Sequence, residues 1–341
     1  MTASPAHRVT VRFRDGAEAQ IRVPAGWPIL DAAIHADLPL VHQCRSGSCG
    51  TCVARLTAGA VENRGRGAVA LLASEIAAGY RLTCSSFPLT DCAIELDYPR
   101  AVVLGPQPTA ATATVAEVAR VSDSVFVLDL DAPETPAFMA GQYARLKVPA
   151  TEAWRSYSMA TSAKELPRLR FLVRYLEGGA MSEYLKVRAR PGDRIAIEAP
   201  YGSFTLADPA QPQLMIAGGT GLAPMLALLD ELRVAPGRRP AVLLCFGCTE
   251  AGDFFGAEEL ALRAHWMPSL TVRTAVMRGP PPPGAHTGTA LDLVADTDLA
   301  AATVAYLCGP PAMIAAGRTR LLAGGLAAAN IRAEVFRASE A

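Results

Sequence analysis

Three cysteines fall within nine residues, Cys44-Arg-Ser-Gly-Ser-Cys49-Gly-Thr-Cys52, and a fourth, Cys84, follows after thirty-one intervening residues. This C-x4-C-x2-C…C spacing asks one short loop to wrap a common centre and a distant segment to close it. It is the plant-type spacing for a two-iron, two-sulfur (2Fe-2S) cluster. Two thiolates of the loop reach one iron, while a third and the distant fourth hold the other. Gly47 and Gly50 can take positive φ, and Ser46, Ser48 and Thr51 add little bulk, so backbone amides are left to point at the sulfurs. Zinc is the competing reading, but zinc knuckles usually pair symmetrically, and three-plus-one in a Gly/Ser loop fits zinc poorly.

The chain has eight cysteines, and in a cytosolic chain of 341 residues, where thiols stay reduced, they do not read as a disulfide scaffold. Cys92 lies in an alternating run and reads as core. Cys245 and Cys248 form a C-x2-C without a second pair, so packing is the better reading there. Cys308 ends an apolar run at the place where an α/β sheet sets its ligand crevice, and it remains a candidate.

The length predicts two or three domains. Hydrophobic residues make up 51% and charged residues 19%, which excludes a disordered chain. Thirty-two basic residues cancel thirty-two acidic ones, and no basic stripe with aromatics appears, so nucleic acid is not an expected partner. Arg8, Arg12 and Arg14 alternate with Val9, Val11 and Phe13 where a signal peptide needs an unbroken apolar run. The most apolar stretch, Leu214 to Leu229, is interrupted by Gly218, Gly219, Gly221 and Pro224, short of a membrane span. The expectation is a soluble, cytoplasmic protein.

Residues 8–14 and 18–23 alternate around Asp15-Gly16 as a hairpin, and Ile29, Leu30, Ala33 and Ile34 follow helical spacing. After the cysteine loop come a strand over 51–56, a helix over 70–78 and strands over 80–84 and 92–96. A Pro- and Gly-bearing stretch over 102–111 reads as a linker, so the expected domains are 1–101, 112–208 and 209–341. In the middle domain, strand-like runs at 113–121, 125–130, 143–148, 169–175 and 194–199 suggest a closed antiparallel sheet. From Gln213 the period changes to apolar runs alternating with helices, with strands at 214–217, 241–247, 270–276, 304–307 and 331–336. That is a doubly wound parallel sheet.

Gly218-Gly219-Thr220-Gly221-Leu222-Ala223-Pro224 follows the first of those strands and opens a helix, so a pyrophosphate can approach its backbone and the helix amides. Pro224 stands where G-x-G-x-x-G has its last glycine. Cys308-Gly309-Pro310-Pro311 sits across the switch point and strengthens the reading. Upstream, Arg155-Ser156-Tyr157-Ser158 and Gly178-Gly179-Ala180-Met181-Ser182 together supply a guanidinium, a ring, a hydroxyl and a helix start.

With these residues in place, the chain resembles the reductase component of bacterial aromatic-ring dioxygenases, most closely the benzoate and anthranilate type. The resemblance covers residues 8–338 by domain order and implies an N-terminal β-grasp ferredoxin, an antiparallel β-barrel flavin domain and a doubly wound α/β nicotinamide domain, α+β and α/β in one chain. It implies that Cys44, Cys49, Cys52 and Cys84 ligate the cluster. Arg155, Tyr157 and Ser158 match an R-x-Y-S motif that meets FAD phosphate, packs on the isoalloxazine and lies near N5. Val173, Arg174 and Gly179 through Ser182 match segments lining the FAD pyrophosphate, with the amides of Met181 and Ser182 as donors. Gly219, Thr220 and Gly221 match the nicotinamide-nucleotide loop. Cys308, with Gly309, and Glu334 match positions near the nicotinamide C4, and Phe336 an aromatic beside the flavin; Ser158, Cys308 and Glu334 are the catalytic candidates.

A nicotinamide gives electrons in pairs, a cluster takes them singly, and FAD can do both, so the expected order is NADH, FAD, 2Fe-2S and then a separate oxygenase. Glu250 closes the second strand of the nicotinamide domain, where an acidic side chain suits free ribose hydroxyls and an Arg suits a 2′-phosphate; Arg238 and Arg239 lie before that strand, so NADH is expected. The alternatives are a reductase serving a di-iron monooxygenase or a sugar-deoxygenating dehydratase, and a non-catalytic cluster carrier or sensor. The substrate of the partner is not written in this chain.

Overall fold

The structure is a computed structural model, and it describes residues 6–43, 45–47, 50–64, 71, 73–237, 240–299 and 304–336. The chain divides into two compact units, one running up to Gln107 together with Tyr201–Ser203 and the other taking in the rest from Pro108.

In the first unit, strands β1 (His7–Arg12) and β2 (Glu18–Val23) form the expected hairpin, with Gly16 at φ +80° in its turn. Helix α1 (Ile29–His35) follows, then β3 (Val53–Ala58), β4 (Val61–Asn63), α2 (Ala73–Ala77), β5 (Tyr80–Leu82), β6 (Ser86–Pro88) and β7 (Cys92–Glu95). The main sheet runs β2-β1-β7-β3-β5, with β1 parallel to β7, and β4 pairs with β6 as a separate ribbon. This is the ferredoxin-like grasp of a mixed sheet around one helix. Val9, Val11, Ile21 and Val23 point inward by strand alternation and meet Ile29 and Leu30 of α1, all of them buried. Each contributes roughly 1.5–3 kcal/mol through the apolar area it removes from water.

The expected linker is more ordered than its prolines suggest. Residues Ala101–Leu104 form a helical turn (α3), with Val102 and Val103 buried in the first unit's core. Strand β8 (Thr109–Arg120) then starts four residues before the expected run begins, because Thr109 to Thr112 pair with β13 (Arg194–Tyr201) regardless of their small side chains.

The second unit opens with a barrel built from β8, β9 (Val125–Asp131), β10 (Tyr143–Lys147), β11 (Trp154–Ser158), β12 (Arg168–Arg174) and β13, with one short helix α4 (Ala180–Glu183) that continues as a π-helical turn over Tyr184–Arg188. The order β11-β10-β13-β8-β9-β12 leaves β11 and β12 at its two ends. A bridge between Met159 and Phe171 and a bond from the Ala160 N–H to the Arg170 carbonyl, 2.8 Å, join those ends and all but close the sheet. Strand β11 is absent from the sequence pattern, since Trp-Arg-Ser-Tyr-Ser mixes polar and aromatic residues without an apolar face.

A parallel sheet completes the unit: β14 (Gln213–Gly218), α5 (Leu222–Val234), β15 (Val242–Glu250), α6 (Ala257–Trp266), β16 (Leu270–Arg278), β17 (Ala285–Thr287), β18 (Val304–Gly309), α7 (Pro311–Ala323) and β19 (Ile331–Val335). Its order, β17-β16-β15-β14-β18-β19, reverses between β14 and β18. Helix α5 is buried on nearly every side because one face covers this sheet while the other packs on barrel residues Val125, Ala160, Leu172 and Phe204. Among the described residues no helix is long and apolar enough to cross a membrane.

Candidate functional site

The sharpest convergence lies at the switch point. Gly218 ends β14 and pairs across to Gly247, and the next three residues, Gly219, Thr220 and Gly221, make a single 3-10 turn that leads into α5. A Cβ on Gly221 would fall 2.2 Å from the Cys308 carbonyl oxygen, so only glycine lets this turn rest on the end of β18. Gly219 holds φ +55° and has nothing within 4 Å of where its Cβ would stand, which leaves open space over the turn. Barrel strand β12 packs directly on the same turn.

Cys308 lies opposite Ala217 on one side and Glu334 on the other in the parallel ladder. Its thiol is fully buried and pushed well up by that burial, with the neighbouring Glu334 carboxylate adding to it. Glu334 is partly buried, and the packing around it raises its carboxyl to about 7 despite a hydrogen bond that favours the charged form. That bond comes from the barrel: the Ser158 hydroxyl donates to Glu334 Oε2 at 3.1 Å. The Phe336 N–H donates to the Gly309 carbonyl at 2.8 Å and packs the ring against the core below α5. Ser158, Glu334, Cys308, Gly221, Gly309 and Phe336 therefore form one connected wall, although Ser158 and Glu334 are 176 residues apart in sequence. A hydroxyl, a carboxyl able to hold a proton near neutrality and a buried, uncharged thiol thus lie on neighbouring backbone segments.

Arg155 and Tyr157 share β11 with Ser158. Tyr157 is half-buried against the barrel core, which pushes its phenol up, and Arg155 donates to the Trp154 carbonyl at 3.0 Å. At the far end of β12, Val173 is buried and Arg174 exposed. The Ser182 hydroxyl accepts from the Leu176 N–H at 2.9 Å and reaches the Arg174 carbonyl at 3.5 Å, so it ties this strand end to the start of α4. The first-turn amides of Ala180, Met181 and Ser182 follow Gly179, in helix positions that have no intrahelical acceptor.

Glu250, at the exposed end of β15, is paired with Arg278 at the end of β16, the Arg Nε donating to Oε1 at 2.7 Å. Arg278 lies two residues past the end of the strand expected from the apolar pattern and was not among the expected site residues. Arg238 and Arg239 lie outside the described residues.

In the first unit, Cys52 and Cys84 are buried, 4% and 9% exposed. Thr83, next to Cys84, donates both its N–H (2.9 Å) and its hydroxyl (3.1 Å) to the Cys52 carbonyl, so two cysteines remote in sequence are held side by side in the fold. Arg45, Gly47 and Gly50 all take left-handed φ, 55°, 81° and 79°, so the backbone turns sharply at each of them. Cys44 and Cys49 lie outside the described residues.

Comparison with known proteins gives three family models in order along the chain: a 2Fe-2S iron-sulfur cluster binding domain over residues 13–89, an oxidoreductase FAD-binding domain over 112–206 and an oxidoreductase NAD-binding domain over 215–319. The anthranilate 1,2-dioxygenase electron transfer component of Acinetobacter baylyi is 32% identical over 97% of both chains. The toluate 1,2-dioxygenase electron transfer component of Pseudomonas putida is 32% identical over 98% of this chain and 99% of its own. Among solved structures, an Amycolatopsis cytochrome P450 reductase superposes with a TM-score of 0.71 at 29% identity, covering 97% of this chain and 98% of that one.

Proposed function

This chain belongs to the family of iron-sulfur flavoprotein reductases that includes the electron transfer components of aromatic-ring dioxygenases, and on that premise we propose that it oxidises NADH and passes the electrons singly to the oxygenase component of a ring-hydroxylating dioxygenase. When bound, the nicotinamide supplies a hydride, FAD accepts the pair and yields it one electron at a time, and the cluster relays single electrons.

The observation that carries the reading is the hydrogen bond from Ser158 of the barrel to Glu334 of the parallel sheet, at the place where the Gly219–Gly221 turn meets Cys308. A flavin-binding barrel and a nucleotide-binding sheet share one wall there, as hydride transfer between their ligands requires. The residues fit the three groups. Buried, adjacent Cys52 and Cys84 and the sharply turning loop suit a cluster also held by Cys44 and Cys49. Arg155 and the α4 amides of Met181 and Ser182 suit phosphate, and Tyr157 offers a half-buried ring. The open space above Gly219 suits a pyrophosphate.

Ser158 and Glu334 hold and exchange a proton at the crevice wall, Cys308 keeps that wall uncharged, and Phe336 excludes water from its lower edge. Glu250 takes the adenosine ribose. We assign residues 1–101 to the cluster domain, 112–208 to the flavin domain and 209–341 to the nicotinamide domain. The cytoplasm, where thiols stay reduced, is its expected compartment.

The test is anaerobic turnover of the purified protein, loaded with FAD and iron-sulfur, using NADH as donor and ferricyanide, cytochrome c or a purified ring-hydroxylating oxygenase as acceptor. All three are reduced if the reading holds. A loaded protein that reduces none of them overturns it, and one that reduces only the dyes removes the oxygenase as its partner.

A further inference from the structure

We infer that Arg278 is a latent ligand for a 2′-phosphate, kept out of use by Glu250, so that an ion pair rather than one carboxylate sets which nicotinamide dinucleotide the site accepts. The inference rests on the reading of the chain as a nicotinamide-dependent reductase.

Glu250 and Arg278 occupy paired positions at the carboxyl ends of neighbouring parallel strands, the end of a doubly wound sheet where dinucleotides bind. Both guanidinium contacts, Nε at 2.7 Å and Nη2 at 2.5 Å, fall on Glu250 Oε1. Oε2 lies outside these two contacts. The side chains are 48% and 69% exposed, so the pair adds little to folding stability and is accessible to a ligand.

The backbone beneath them is fixed on both sides. A Cβ on Gly279, immediately after Arg278, would meet the Ala251 Cβ at 3.0 Å, so the two strand ends lie in contact. The Asp123 N–H in the barrel hairpin between β8 and β9 donates to the Gly252 carbonyl at 2.9 Å, and a Cβ on Gly252 would strike Asp123 Oδ2 at 2.1 Å. Glu250 and Arg278 thus stand on adjacent, braced strand ends.

Two consequences follow from the charges. While the pair stands, a 2′-phosphate dianion meets the Glu250 carboxylate and an Arg278 whose charge is already neutralised. Without the carboxylate, a free guanidinium fork, matched in shape to a phosphate, faces that position. Discrimination therefore comes from repulsion together with masking.

The experiment compares holoprotein of wild type, Glu250→Gln, Arg278→Gln and the double variant in ferricyanide reduction with NADH and with NADPH, with 2′-AMP as an inhibitor. Glu250→Gln should raise kcat/KM for NADPH roughly tenfold, the low end of what a hydrogen bond to a charged group contributes. It should also make 2′-AMP a competitive inhibitor, and both gains should vanish in the double variant. If the double variant keeps them, Glu250 acts by repulsion alone and the proposal for Arg278 is overturned. An unchanged NADPH efficiency in Glu250→Gln that still binds FAD overturns it equally. Failure of the underlying reading looks different: wild type with FAD bound would not oxidise NADH at all.

Discussion

Glu334 shows what packing does to a single carboxyl. Its pKa is raised from 4.5 to about 7, chiefly by burial, with the Ser158 hydroxyl opposing the shift in part. A raised carboxyl binds a proton in the folded state that the unfolded chain has already released between those two values. Stability therefore falls as pH rises from about 4.5 to about 7 and stays at the lower level above that window. Glu334→Gln has no proton to lose, so its melting temperature should match that of wild type at the acid end and exceed it above neutrality. Parallel melting curves for the two holoproteins across the window would show that Glu334 is not penalised for its charge. The identity of Glu334 was legible because a short motif near the chain end matched a family position. Its setting was not, because burial depends on Ser158, which comes from another fold layer.

At the scale of elements, β12 joins the two halves of the second unit. Arg170 on this strand donates to both oxygens of Asp129 at 2.8 Å, with Asp129 only 6% exposed, and reaches Glu259 of α6 at 3.4 Å. Arg170→Met leaves the Asp129 carboxylate buried and unpaired and should cost roughly 3 kcal/mol, whereas Glu259→Gln, which keeps Asp129 paired and only removes a partly exposed charge from Arg170 and Arg263, should cost about 1 kcal/mol or less. Thermal denaturation of the two variants checks the ranking, and equal losses would mean that the Asp129 contact carries no special weight. The strands that alternate cleanly, such as β9 and β12, were legible from the apolar period. Strand β11 was not, since Trp154-Arg-Ser-Tyr-Ser158 offers no apolar alternation, and only the fold shows Tyr157 packing on the barrel core. Nor was the helical turn within 102–111, because Val102 and Val103 look like any apolar pair until a core is there to receive them.

For the whole molecule, the order of the redox centres makes a separable prediction. Cys49→Ser should abolish NADH-driven cytochrome c reduction, which needs the cluster, and leave ferricyanide reduction from the flavin largely intact. Equal loss of both activities, with FAD still bound, would reverse the proposed order. The three-part order was legible because cysteine spacing and the change from strand alternation to strand-helix alternation are local signals. The crevice wall was legible only as separate pieces, since nothing local brings β11 beside β19 or Arg278 beside Glu250. The hairpin tip at Asp123, seated on Gly252 through a backbone bond, bears on how such reductases can be recombined. The loop that follows Glu250 is braced by that barrel hairpin, so a nucleotide lobe transplanted from a relative would need residues 122–124 of its own donor to keep the loop's shape.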